Sequence, residues 1–304
     1  MTRVHADILL LIVALIWGFA FVAQKTALLY IGPFAFMASR FSVSFLLTLP
    51  LALRERRKAG GTLRTEDGRT LKPLLVSLCI VFAAGVIFQQ VGIATTSVTN
   101  AGFLTGLYVL FVPVICFVCF RQKISPVIIP AALLCVLGTY LLSGGGYAFG
   151  WGDTLIILCA VFFALHVAIA GRIMARTKSP FQISCLQYAA VSLVSIAAML
   201  MFETPTLAGI QSAIWPILYA GVLSGGIAYT LQMIAQQHAP ASDTAVILSA
   251  ESVFAAIGGY LIFSERISAT GMFGCGLIIA AILMVELTPQ LLKRFKRPAP
   301  AGVL

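Results

Sequence analysis

Apolar runs separated by short polar breaks divide almost the whole chain into ten segments, roughly 8–30, 33–53, 73–95, 98–119, 126–143, 153–172, 180–202, 213–236, 243–263 and 269–287. A bilayer-crossing helix needs about 20 mostly apolar residues. Backbone groups in hydrocarbon must be paired within the segment, so each run predicts a helix. The pattern is also written twice. Laid beside Ser242–Ser268 without a gap, Thr99–Ser125 aligns Asn100 with Asp243, Phe111 with Phe254, Phe120 with Phe263, Ile124 with Ile267 and Ser125 with Ser268. The same offset pairs Pro73 with Pro216, Leu75 with Leu218 and Gln89 with Gln232. A slightly different one pairs Pro33-Phe34 with Pro180-Phe181 and Leu46 with Leu193. The chain therefore divides into two copies, 1–146 and 147–304, of five spans each. Five is odd, so the second copy enters the membrane from the opposite side. The predicted fold is all-α: a polytopic membrane protein of ten transmembrane helices in two inverted five-helix repeats, the architecture of secondary transporters.

Composition agrees with lipid as the solvent. Of 304 residues, 60% are hydrophobic and 10% charged, with a mean hydropathy of +1.03. The net charge of +10 raises the question of nucleic acid, but the placement of the charges answers it. All but three of the 20 lysines and arginines lie before the first span, in alternate connections or in the tail. The exceptions are Lys25, Arg40 and Arg266. This is the positive-inside distribution, and it places both termini, the basic stretch Arg54–Lys72 and the tail in the cytoplasm. No basic patch is interleaved with aromatics, so nucleic acid is not an expected partner. The glycine-rich piece Gly144–Gly152 follows a membrane helix rather than a strand and reads as an outer connection, not a phosphate loop. The seven cysteines fall in apolar segments and read as packing residues, including Cys116 and Cys119 of a CxxC. No cofactor or metal is expected.

Three motifs carry a resemblance: Ile16-Trp17-Gly18 in the first span, Ala38-Ser39-Arg40-Phe41 in the second, and the Glu251–Ile267 stretch ending in Ser264-Glu265-Arg266-Ile267. In their order and spacing the chain resembles the drug/metabolite transporter superfamily, EamA type, over about residues 8–287. The resemblance implies a ten-helix carrier of the bacterial inner membrane that moves small metabolites, often exporting amino acids or related compounds. Two departures stand out. Ser252 occupies a position that is often proline in the family, and Arg121-Gln122-Lys123 replaces a glycine-glutamate-arginine ending.

Polar residues at membrane depth are the candidate site. A carboxylate at a helix centre costs about 2.5–3.5 kcal/mol on insertion scales, so Glu251 should face the bundle interior or a wet cavity. It could carry a proton or bind substrate. Alternatively it pairs with Arg40, the cation within the second span, and holds the bundle together. Tyr108 occupies the equivalent position of the first copy. Gln89 and Gln232 are repeat-related amides able to donate and accept, and Tyr229 shares a helix face with Gln232. His166, near Phe162 and Phe163, is a candidate proton relay. Trp17, Phe21 and Gln24 share one face of the first span. The expected substrate-binding set is Trp17, Gln89, Tyr108, Phe163, His166, Tyr229, Gln232 and Glu251, with Arg40 and Glu251 as the coupling or ion pair. Asn100, Asp153 and Asp243 read as helix N-caps. The expected function is alternating-access export of a small metabolite, the expected partners being that solute, the bilayer and protons as candidate coupling ion. A monomer or weak homodimer is expected. The alternatives are an importer or exchanger of sugar-linked or phosphorylated metabolites, and an integral-membrane enzyme. The first calls for paired cations deep in the second copy and the second for a catalytic cluster; the sequence offers neither.

Overall fold

The computed structural model describes residues 1–58, 71–142 and 150–295. Most of the basic connection read at Arg54–Lys72, most of the glycine-rich connection at Gly144–Gly152 and the end of the basic tail lie outside the described residues. Every regular element among the described residues is helical. We number the ten crossings α1 (Arg3–Ala27), α2 (Pro33–Lys58), α3 (Lys72–Gly92), α4 (Val98–Phe120), α5 (Ile128–Leu142), α6 (Trp151–Met174), α7 (Pro180–Phe202), α8 (Ile214–Ala235), α9 (Ala241–Phe263) and α10 (Ala269–Phe295). Eight are long and apolar enough to cross a bilayer unaided; α5 and the apolar part of α10, Ala269–Val285, are shorter.

Packing reproduces the duplication. Helix α2 lies along α7 and α5 along α10, so two pairs of repeat-equivalent helices meet each other. Helix α1 packs on α8 and α9; α6, its equivalent, packs on α3 and α4. Close approach is supplied by small residues, as in membrane helix pairs generally. A Cβ on Gly274 of α10 would lie 2.3 Å from the Gly138 carbonyl oxygen of α5. One on Gly18 of α1 would lie 2.3 Å from Phe254 Cβ of α9.

Two helices are broken midway, at the same repeat position. Helix α4 consists of Val98–Gly106 and Tyr108–Phe120, and α9 of Ala241–Leu248 and Glu251–Phe263. At the breaks, bonds to the third residue back replace the α-helical ones: Leu107 N to Leu104 O and Leu110 N to Leu107 O, then Ala250 N to Ile247 O and Val253 N to Ala250 O. Both helices end alike. Arg121 (φ 52°) and Ser264 (φ 56°) adopt the left-handed conformation, and the next amide, Gln122 N or Glu265 N, returns to the carbonyl of Cys116 or Gly259. A left-handed residue at a helix end is usually glycine; here both copies use other residues.

The N-cap assignments need correction. Ser97 caps α4, its Oγ accepting from Asn100 N at 3.0 Å. Asp153 lies inside the first turn of α6, accepting from Gly150 N (2.8 Å) and from Thr96 Oγ1 (2.7 Å). Asp243 lies in the first turn of α9 and pairs with Arg3 Nη2 at 2.7 Å. Each helix starts two residues before the residue read as its cap, and the cap position, three before, is held by Ser97, Gly150 or Pro240.

Candidate functional site

The two helix breaks open onto one narrow central cavity of about 30 Å³. Helix α1 contributes Trp17, Ala20, Phe21 and Gln24, α2 Arg40, and α3 Gln89. Tyr108 and Glu251 open the second halves of α4 and α9; Phe163, His166 and Val167 come from α6, and Ser224, Tyr229 and Gln232 from α8. All of the residues singled out from the sequence as substrate-binding line it, as does Arg40. Ser224 and Leu248 line it too and were not singled out. The nearest signal for Ser224 is its Ser-Gly-Gly context, a run of small residues inside a span.

Ser224 sits where α8 widens into a π-helix, Tyr219–Tyr229. Widened turns leave carbonyls without their usual partners and are frequent at functional sites. Side chains from three other helices occupy them. Ser44 Oγ of α2 donates to Gly221 O (2.7 Å), Trp17 Nε1 of α1 to Ser224 O (3.2 Å), and the Tyr188 hydroxyl of α7 to Gly225 O (2.9 Å). These bonds fix Trp17, whose ring centroid lies 4.4 Å from that of Tyr229. Phe82 meets Tyr229 edge-on at 4.7 Å and lies 4.8 Å from the His166 ring. One wall of the cavity is therefore aromatic.

The polar groups divide into satisfied and unsatisfied ones. His166 Nε2 lies 2.9 Å from Gln187 Oε1, so Nε2 carries the proton that this bond requires. Gln89 Nε2 reaches Thr105 Oγ1 at 3.4 Å. Gln232 Nε2 donates to Gln236 Oε1 at 3.3 Å and Gln236 Nε2 to Val167 O at 2.9 Å, while Gln232 Oε1 and Gln24 Oε1 are buried without a partner. Arg40 is 3% exposed. Its Nη2 donates to Ser224 Oγ at 3.3 Å, its guanidinium carbon stands 4.7 Å from the Phe41 ring centroid, and its Nε has no partner. Glu251, also 3% exposed, faces the Tyr108 hydroxyl closely enough to interact with it, yet neither its Oε1 nor that hydroxyl makes a hydrogen bond of regular geometry. Arg40 and Glu251 face the same cavity without a direct salt bridge. Arg3, by contrast, pairs directly with Asp7 and Asp243. No group of three His, Cys, Asp or Glu among those residues could hold a metal.

A wider depression lies at the end of the bundle where α1 begins. It is lined by Gln122, Lys123, Gln236, Gln237, His238 and Pro240.

Inverted five-helix repeats around a central polar cavity, entered by broken helices, define a membrane transporter. The chain belongs to the EamA-like transporter family, whose profile matches it twice, at residues 5–144 and 150–287. An uncharacterized transporter of Archaeoglobus fulgidus is 32% identical over 285 residues, covering 94% of this chain and 87% of its own. The uncharacterized transporter YoaV of Bacillus subtilis is 26% identical over 285 residues, 91% of this chain and 94% of its own. A crystal structure 18% identical in sequence superimposes with a TM-score of 0.77 over 97% of this chain and all of the other, which establishes the shared fold.

Proposed function

We propose that this chain is a secondary carrier of the bacterial inner membrane that exports a small metabolite, an amino acid or a related compound, by alternating access. The observation that carries the reading is the cavity itself. It lies between the repeats, it is lined by the two helix breaks, and it holds one guanidinium, one carboxyl and an aromatic wall. The two functional halves are 1–146 and 147–304, rocking against each other about this site. Both termini face the cytoplasm, as the distribution of lysine and arginine favours. Glu251 and His166 are the candidate proton carriers. Trp17, Gln89, Tyr108, Phe163, Tyr229 and Gln232 bind the solute. A phosphorylated or sugar-linked solute is less well matched, because among the described residues Arg40 is the single lysine or arginine lining the cavity. Transport rather than catalysis is the activity that the family supports.

The test is transport by the purified full-length chain in liposomes, with a panel of labelled amino acids, amines, organic acids and sugar phosphates. Saturable movement of an amino acid against its gradient, driven by an imposed pH gradient, is the expected result. Movement of sugar phosphates alone would overturn the assignment.

A further inference from the structure

We propose that the cavity recognises its solute as a zwitterion, Arg40 holding the carboxylate and Glu251 the ammonium group. This rests on the transport reading above and names the two residues that select the substrate class.

The argument begins from unused bonding capacity. Guanidinium has five N–H donors and stays protonated in proteins. Removing such a charge from water costs several kcal/mol unless good geometry and hydrogen bonds compensate. Arg40 is given one neutral hydroxyl and the faces of Phe41 and Phe36, and its Nε is left without an acceptor. Glu251 mirrors it: it is buried with one neutral hydroxyl, Tyr108, beside its carboxyl, and its Oε1 makes no bond of regular geometry. Bundles that use opposite charges as scaffold bring them into contact, as Arg3 and Asp243 do here at 2.7 Å. Arg40 and Glu251 instead line one space between them, with Tyr229 among the residues facing both. A solute carrying both charges would satisfy both groups at once. A carboxylate is the strongest acceptor for a guanidinium fork, and an ammonium group brings three donors to the carboxyl. A simple amine would leave Arg40 uncompensated and a simple acid would leave Glu251 so. Trp17, Phe163 and Tyr229 remain for an apolar side chain, placing leucine-like amino acids in the class.

The experiment reads binding, separately from transport. Thermal stabilisation of the full-length detergent-solubilised protein is titrated with L-leucine, with isoamylamine, which lacks the carboxylate, and with 4-methylpentanoate, which lacks the amine. Leucine should bind at least about 100-fold more tightly than either analogue, the loss expected when one partner of a buried charge pair is removed. Arg40→Gln should erase the preference for leucine over isoamylamine, and Glu251→Gln the preference over 4-methylpentanoate. The wild-type series stands without the variants if either folds poorly. Equal binding of the three ligands, or tighter binding of an analogue than of leucine, overturns the clamp. Failure of the transport panel with the binding order intact would fail the transport reading and leave the clamp standing.

Discussion

Glu55 and Glu203 cap each other's helices. Glu203, just past the end of α7, accepts from Phe34 N (2.9 Å) and Ala35 N (2.8 Å) at the start of α2. Glu55, near the end of α2, accepts from Gln182 N (2.8 Å) at the start of α7. Phe34-Ala35 and Phe181-Gln182 are repeat-equivalent, so one capping interaction appears at both ends of one antiparallel pair. It satisfies amides that a helix start leaves orphaned, and it sets negative charge against the positive end of the helix dipole.

Glu203→Ala and Glu55→Ala should each cost about 1 kcal/mol, the usual value of an N-cap. The sites lie on the order of 30 Å apart along the helix, so the double variant should be additive within about 0.5 kcal/mol. Unfolding midpoints of the three variants check this. A double variant no worse than the singles would mean that the caps do not act independently.

The second pair is capped at one end only. Glu265 Oε1 accepts from Val98 N (2.9 Å) and Oε2 from Thr99 N (3.0 Å), closing the start of α4. The equivalent residue of the first copy is Gln122, and Pro240, at the start of α9, offers no side-chain cap. The depression bordered by Gln122 and His238 lies at this uncapped end. Gln122→Glu should therefore build the missing cap and hold that end shut. In a cysteine-free background, His238→Cys should react several-fold more slowly with a bulky thiol reagent once Gln122→Glu is added. Unchanged reactivity would show that the cap does not control this opening.

Gly18 separates a packing role from a site role. An alanine Cβ there would meet Phe254 Cβ at 2.3 Å and Glu251 O at 2.8 Å, beside the break of α9. Gly18→Ala should cost about 1–3 kcal/mol as overpacking does, and should weaken solute binding at least about 10-fold by moving Glu251. Gly274→Ala, at the α5–α10 crossing, should cost comparable stability with binding unchanged. Thermal unfolding and ligand titration on both variants decide; equal effects on binding would reduce Gly18 to a spacer.

Much of this was legible in the sequence because a repeat carries positional information. The offset that pairs Tyr108 with Glu251 also pairs the two helix breaks, and the polar residues at membrane depth converge because lipid leaves them nowhere else to point. The breaks themselves carried no signal. Pro113 lies inside the second half of α4, beyond the break, and Ala256 stands at its counterpart in α9, so proline does not mark the shared break. Nothing in the sequence marks Glu55, Glu203 and Glu265 as caps, since the amides they cap are more than a hundred residues away in sequence. Nor did the π-helix of α8 announce itself, because its freed carbonyls are held by Ser44, Trp17 and Tyr188 of other helices.

The last prediction concerns coupling and turns on the missing bridge between Arg40 and Glu251. Were Glu251 a scaffold charge balancing Arg40, Glu251→Gln would strand a buried cation, and breaking such a pair from one side costs about 3–5 kcal/mol. Expression would then collapse, and a compensating change at Arg40 would restore it. The two groups do not touch, so Glu251→Gln should express and unfold close to wild type, and no change at Arg40 should be needed. Its effect should appear in transport. Glutamine cannot exchange a proton with solvent, so the variant should lose uphill movement driven by a pH gradient, while whatever solute it still binds crosses down its own gradient. Parallel assays in proteoliposomes, with and without the pH gradient, measure both rates. A stable variant that still concentrates solute at the wild-type ratio would remove Glu251 from coupling and turn attention to His166, whose bond to Gln187 Oε1 ties its tautomer to α7.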